Sequence, residues 1–312
     1  MGKSDSILTE SSKNKKAPFS WVNLQPGTWG LGRAFVGFII AIVGAVVPGF
    51  ILQAFAGNNM QSAESLTKFV NDNAYIALPM QYLFLFVLGI TAMRLWSGKK
   101  YQQTELGLVR PKHRTDYLWA IGGGILFVLI AQLIAPLFPE VKAASQKVAD
   151  QLVMGDNFLR DFMLMFAMAV GAPLGEDIVY RGIIMRGLYD KFSRFRSLAG
   201  RVLMIVMPIA ISAVVFAMSH GGEGQNKQVV FLTIFGIIAS LLYFKTGSFY
   251  VPVLAHSVCN MINIFLVIAA GSRPAPILYV FAILTPFISL ALLDLTRKLI
   301  EPKLKIIVDS KS

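Results

Sequence analysis

Residues 162–185 read FMLMFAMAVGAPLGEDIVYRGIIM, and inside this otherwise lipid-compatible run stand Glu176, Asp177 and Arg181. A hydrocarbon core of about 30 Å is crossed by roughly 20 helical residues, so the run is long enough to span one. An ionisable side chain in such a span is costly unless paired or hydrated, and each one is therefore a candidate for function. The reading of the whole chain turns on whether this stretch is a membrane helix and, if so, what its three charges do there.

Working outward, the same length criterion picks out eight apolar runs bounded by charge or turn residues, at about 34–55, 74–96, 117–138, 158–187, 202–220, 228–244, 249–270 and 275–295. The fourth exceeds what a bilayer needs, so it tilts or projects into water. The sixth and seventh are short and punctuated by Gly and Pro, which leaves a broken or re-entrant segment open. Composition agrees: 55% of the 312 residues are hydrophobic, 15% are charged and the mean hydropathy is +0.62, against about a quarter charged in an average soluble domain.

The net charge of +12 does not call for nucleic acid, because lysines and arginines on cytoplasmic joints give the same excess and suit an anionic inner leaflet. Of the 29 Lys and Arg, 23 fall on one set of alternating joints and the tails, and 6 on the other. That count includes Arg181, Arg186, Lys191, Arg194, Arg196 and Arg201 between the fourth and fifth runs. The positive-inside rule then places both termini in the cytoplasm. The expected organisation is a polar cytoplasmic N-terminal tail (1–30), a helical membrane domain (31–295) and a basic cytoplasmic tail (296–312). The tail has no apolar core of signal-peptide length. The segment 187–201, GLYDKFSRFRSLAGR, reads as a basic amphipathic stretch lying at the inner surface. The fold class is all-α, a polytopic helical bundle of a multi-pass cell-membrane protein. Cys259, the single cysteine, is read as packing, and His113 as a solvated loop residue.

The polar residues within apolar runs are few: Glu176, Asp177 and Arg181 in the fourth, His220 closing the fifth, and His256 with Asn260 in the seventh. Asp177 and Arg181 are four apart and can neutralise each other on one helix face. Glu176 lies about 100° round the helix and has no such local partner. A buried polar cluster that only fixes helix register accounts for the Asp177–Arg181 pair. It accounts less well for a separate carboxylate, two imidazoles and an amide, since Ser, Thr and Asn hold helices together more simply. His256 and Asn260 share a face and present two donors side by side, as a developing oxyanion requires. A carboxylate in a low-dielectric site is a better base for water. A His-His-Glu metal site is the other use of these residues, although no HExxH helix is present.

EDIVYRG, FAMSH and HSVCN, in that order, resemble the three motifs of the CAAX-protease and bacteriocin-processing (CPBP or ABI) membrane family, whose usual form is E-E-x-x-x-R, F-x-x-x-H and H-x-x-x-N/D. ELGLVRP (105–111) and TGSFYVPVLAH (246–256) add supporting text. The resemblance implies an intramembrane endopeptidase, with Glu176 activating water, His220 assisting, His256 and Asn260 holding the oxyanion, and Arg181 supporting the acidic pair. It departs from the commonest pattern at Asp177, one methylene shorter than the usual second glutamate. The implied partners are a peptide or lipidated protein substrate and the lipid bilayer, with no nucleic acid. No cofactor is expected, with a divalent metal such as zinc left open. The alternative in another class is a catalytically silent scaffold or bacteriocin-immunity or regulatory protein of the same fold.

Overall fold

In the computed structural model, residues 19–25, 27, 30–56, 63–97, 107–138, 155, 157–193, 195, 197–220 and 228–300 are described. Residues 1–18 and 301–312, most of the two expected tails, lie outside them. Nine helices occur among the described residues: α1 (Leu31–Ala56), α2 (Ala63–Asp72), α3 (Ala74–Ser97), α4 (Thr115–Ile134), α5 (Phe158–Phe192), α6 (Leu198–Met218), α7 (Gln228–Thr246), α8 (Tyr250–Ala269) and α9 (Pro276–Ile300). All but α2 are long and apolar enough to cross a membrane. Large apolar side chains such as Phe35, Leu83, Leu133 and Phe287 face outward, as lipid allows and water does not. The chain is a multi-pass integral membrane protein.

The eight expected spans are all present, with shifts of a few residues at their ends. The seventh, α8, is unbroken although Pro252 lies in it, because a proline in the first turn removes an N–H that has no helical partner. A tight connection joins it to α7 through Gly247, whose φ of +66° is a conformation that side chains disfavour; an added Cβ would also meet the Asn23 carbonyl oxygen at 2.9 Å. Glycines do the close-packing expected of them at Gly124, where a Cβ would fall 2.6 Å from the Ala255 carbonyl oxygen and hold α4 off α8.

α5 is the axis of the bundle. It packs against α1, α3, α6, α8 and α9 and is the most buried of the eight spans. At 35 residues it is about 50 Å long. Its ladder is not uniform: residues Ala167–Gly171 and Ile178–Met185 widen to the π form, with an ordinary α segment, Ala172–Asp177, between them. Such departures recur at functional sites, because they redirect side chains that a regular helix would fan out evenly.

The segment 187–201 differs from expectation. Its first part is the buried end of α5, with Leu188, Tyr189 and Asp190 nearly inaccessible, and its last part opens α6. Arg181 and Arg186 likewise sit inside α5, at 0% and 2% exposure, so they do not belong to a charged joint. Arg181 lies against the Phe216 and Phe235 rings, and the Arg186 end is covered by a strap, residues 19–25 and 27, lying across the ends of α5 and α7. Val22 and Leu24 are buried, the Asn23 and Leu24 N–H groups donate to the Phe244 carbonyl, and Asn23 Nδ2 donates to the Lys245 carbonyl at 2.6 Å.

The two supporting stretches are bonded to each other. Phe249 N–H donates to the Gly107 carbonyl at 2.7 Å, and Ser248 Oγ donates to the Val109 carbonyl at 2.7 Å. Arg110 then pairs with Asp294 of α9, which also accepts from the Tyr250 hydroxyl at 2.7 Å. Asp294 is thus tied to neighbours on two sides.

Candidate active site

Three helices bring the polar residues together where α5 runs between α6 and α8. The α segment between the two π stretches carries Glu176 and Asp177, and within each carboxylate the two oxygens face different basic groups, with His256 shared by both. Asp177 Oδ1 is 2.9 Å from Arg181 Nη1, and Oδ2 is 3.3 Å from His256 Nδ1. Glu176 Oε1 is 3.4 Å from His220 Nε2, and Oε2 is 3.8 Å from His256 Nε2. Glu176, which lacked a partner on its own helix, finds two on others.

The Asp177–Arg181 pair is a contact of charges whose angles fall short of a hydrogen bond. The guanidinium is completely buried and its carbon lies 4.3 Å from the centre of the Phe216 ring and 5.6 Å from that of Phe235. Attraction to a ring face grows to about 2 kcal/mol when the cation is desolvated. Phe216 and His220 are the first and last residues of the FAMSH motif, four apart with ring centres 4.8 Å apart. That spacing puts the cation's platform and the imidazole on one face of α6. Phe235 of α7, which the motif reading passed over, packs at 4.7 Å from the His256 ring.

The hydrogen bonds assign the imidazole protons. His220 Nδ1 lies 2.8 Å from the Phe216 carbonyl oxygen; a carbonyl only accepts, so Nδ1 is the donor. By the same logic His256 Nδ1 donates to Asp177. Both Nε2 atoms then turn toward Glu176.

Asn260 lies one turn beyond His256, and its Nδ2 donates to the Met168 carbonyl of α5 at 2.7 Å, leaving a second N–H on the same nitrogen. The access differs across the set: the His220 side chain is 31% exposed while that of Glu176 is 4%. His113 is exposed, and Cys259 is buried beside Asn263 Nδ2 at 3.6 Å. Glu176, His220 and His256 are the residues a metal would draw on. Among the described residues, though, no group of three or more His, Cys, Asp or Glu is placed to hold one.

The stretch that carries all six of these residues can be set beside known proteins. Residues 158–262 match the Type II CAAX prenyl endopeptidase Rce1-like family. The resemblance read from the three motifs is therefore borne out over the stretch that contains them. One curated relative, "Putative membrane peptidase YdiL" of Bacillus subtilis (strain 168), is 26% identical over 151 residues, covering 48% of this chain and 55% of the relative. The chain thus spans about half the length of the curated relative it matches. No solved structure matches.

Proposed function

We propose that the protein is an intramembrane endopeptidase that hydrolyses a peptide bond of a membrane-associated peptide or lipidated protein. The observation that carries this reading is the convergence of His220 Nε2 and His256 Nε2 on the two oxygens of the buried Glu176 carboxylate. The family match and the relative named as a peptidase support it.

In this reading, water enters beside His220, whose side chain is far more exposed than that of Glu176. Glu176 takes a proton from it as its oxygen bonds to the scissile carbonyl carbon, a base role worth about 10²- to 10⁴-fold in rate. The carbonyl oxygen becomes negative. His256, protonated at Nε2 and held by Asp177 through Nδ1, donates to it together with the free N–H of Asn260. The C–N bond then breaks, and the proton held between Glu176 and His220 passes to the leaving amine. Asp177 is held between Arg181 and His256, so its role is to fix the imidazole, and the shorter side chain suffices for that.

The test is to incubate purified protein in lipid vesicles with a panel of peptides, prenylated and unmodified, with and without a chelator. Cleavage that survives the chelator and disappears in Glu176→Gln is the expected result. Cleavage abolished by the chelator and restored by zinc would replace the glutamate mechanism with a metal one. Cleavage unaffected by Glu176→Gln would remove the mechanism altogether.

A further inference from the structure

We infer that Ser257 and Ser289 are positioning residues of this site, acting through a backbone carbonyl that Pro173 leaves open. The inference rests on the reading of Glu176 and His256 as reacting groups. Pro173, three residues before Glu176, has no N–H. In an α-helix that N–H would go to the carbonyl of Ala169, four back. In the π form found just before it, where the Ala172 N–H reaches Ala167, it would go to Met168, five back. Both oxygens are claimed by other helices. Ser257 Oγ of α8 donates to the Ala169 carbonyl at 2.5 Å, with Ser289 Oγ of α9 3.4 Å from the same oxygen and 3.2 Å from Ser257 Oγ. The Met168 carbonyl takes Asn260.

All of this lies in the interior, with Ser257, Ser289 and Ala169 fully buried. In lipid surroundings a backbone group has to find its partner within the protein. Serine is suited to the task because its hydroxyl is one carbon from the backbone, so a short bond from Ser257 fixes both the rotation and the height of α8 against α5. Ser257 directly follows His256. A slip of one residue would turn His256 by about 100° and move it about 1.5 Å along the axis, out of reach of Glu176. Misplacement of about 1 Å is enough to lower a rate roughly a hundredfold.

The experiment compares Ser257→Ala/Ser289→Ala with the same pair carrying Pro173→Ala, measuring kcat, KM and thermal stability in vesicles. The double serine variant is expected to lose about 10- to 100-fold in kcat with KM changed less than about twofold, and Ser257→Thr, which keeps a hydroxyl, is expected to retain most of kcat. Pro173→Ala supplies an N–H for the open carbonyl, so in the double-variant background it is expected to return thermal stability without returning kcat. If kcat returns together with stability, the hydroxyls only satisfy a carbonyl and the inference fails; an undiminished kcat in the double variant overturns it as well.

A readout independent of turnover separates this from the peptidase proposal. The chain has three histidines, so ¹⁵N-histidine spectra report on the bond from His256 to Asp177. A shift of the His256 signals in the serine variants of a protein that cleaves nothing would sink the peptidase proposal and leave the positioning one. Unshifted signals in an active, undiminished double variant would do the opposite.

Discussion

Helix α5 carries two arginine–aspartate pairs, each four residues apart and each buried: Asp177–Arg181 at 2.9 Å and, one turn on and in reverse order, Arg186–Asp190 at 3.2 Å. By spacing and burial they are alike, yet their surroundings differ. The second pair is closed by the chain's own backbone and by a tyrosine: Arg186 Nη2 donates to the Gln25 carbonyl at 2.8 Å, the Gly27 N–H donates to Asp190 at 2.8 Å, Arg186 also bonds the Tyr243 side chain, and next to them the Tyr189 hydroxyl bonds the Leu24 carbonyl. The first pair gives its remaining carboxylate oxygen to an imidazole, and the next residue along is a second carboxylate facing two imidazoles. On the proposed reading, a charge pair inside a membrane helix belongs to a reactive site when it shares an imidazole with a second carboxylate. When backbone groups and a tyrosine hydroxyl complete it, with no imidazole or second carboxylate, it is a clamp.

The strongest challenge to that distinction is at Glu176. Glu176→Gln keeps size and hydrogen bonding while removing the base, and it is expected to lower kcat by about 10³-fold or more with little change in melting temperature. A cellular phenotype that persists intact in Glu176→Ala would assign that phenotype to a scaffold and not to peptide hydrolysis.

Next in size are the losses from leaving one charge of a buried pair alone, typically about 3–5 kcal/mol. Asp190→Ala and Asp177→Ala are both expected to show such a loss in denaturation measurements. They differ in what the surviving folded protein does. At 190, kcat per folded molecule is expected to stay within about twofold, because the clamp does not touch the site. At 177, the kcat is expected to fall by about a hundredfold, since His256 loses the acceptor that orients it, a misplacement of the size treated above. Equal activity losses at both positions would erase the difference between the two pairs.

How far the sequence leads can be seen at these same residues. The eight spans were legible because a run of about 20 apolar residues bounded by charge has few other uses. The Glu176, His220 and His256 set was legible because ionisable groups in such runs are scarce and the three motifs are ordered. The Arg186–Asp190 clamp was not, because arginine beside Lys191 and Arg194 reads as a loop until the strap formed by residues 19–25 and 27 is seen to cover it. Pairing between residues more than 160 apart leaves no local pattern. Nor was the register of α8: nothing in HSVCN singles out Ser257, and only the missing N–H of Pro173 explains what its hydroxyl meets. That proline in APLGE was the available signal, since a proline beyond the first turn of a helix leaves a carbonyl to be accounted for.

A milder test concerns the clamp alone. Replacing both members with apolar residues, Arg186→Met/Asp190→Leu, removes two charges together and is expected to cost less than Asp190→Ala. Two facing apolar side chains are often as stable as a buried ion pair. The loss will not vanish here, because the Gln25 carbonyl and Gly27 N–H give up their partners, at about 1–3 kcal/mol for each group that remains buried. Chymotrypsin cleavage after Phe19, Trp21 or Leu24, followed by mass spectrometry, checks the structural side: the double variant is expected to be cut there faster than the parent protein is. If the strap stays protected, the backbone bonds from Asn23 and Leu24 to Phe244 hold it without the clamp.

The smallest effect is expected at a third ion pair, Arg110–Asp294, which joins the 107–110 segment to α9. Here the arginine is 61% exposed, and exposed pairs contribute only about 0.2–1 kcal/mol. Asp294 has further partners in Tyr250 and in Arg297, 3.6 Å away, so loss of Arg110 leaves it neither buried nor alone. Arg110→Ala is therefore expected to shift stability by less than about 1 kcal/mol and to leave kcat unchanged. Raising the salt should shrink even that difference, because charges within reach of water are screened over about 10 Å at 0.1 M. A large, salt-independent loss would show that pairing with α9 positions the start of α8, and hence His256, as the buried contacts of α5 do.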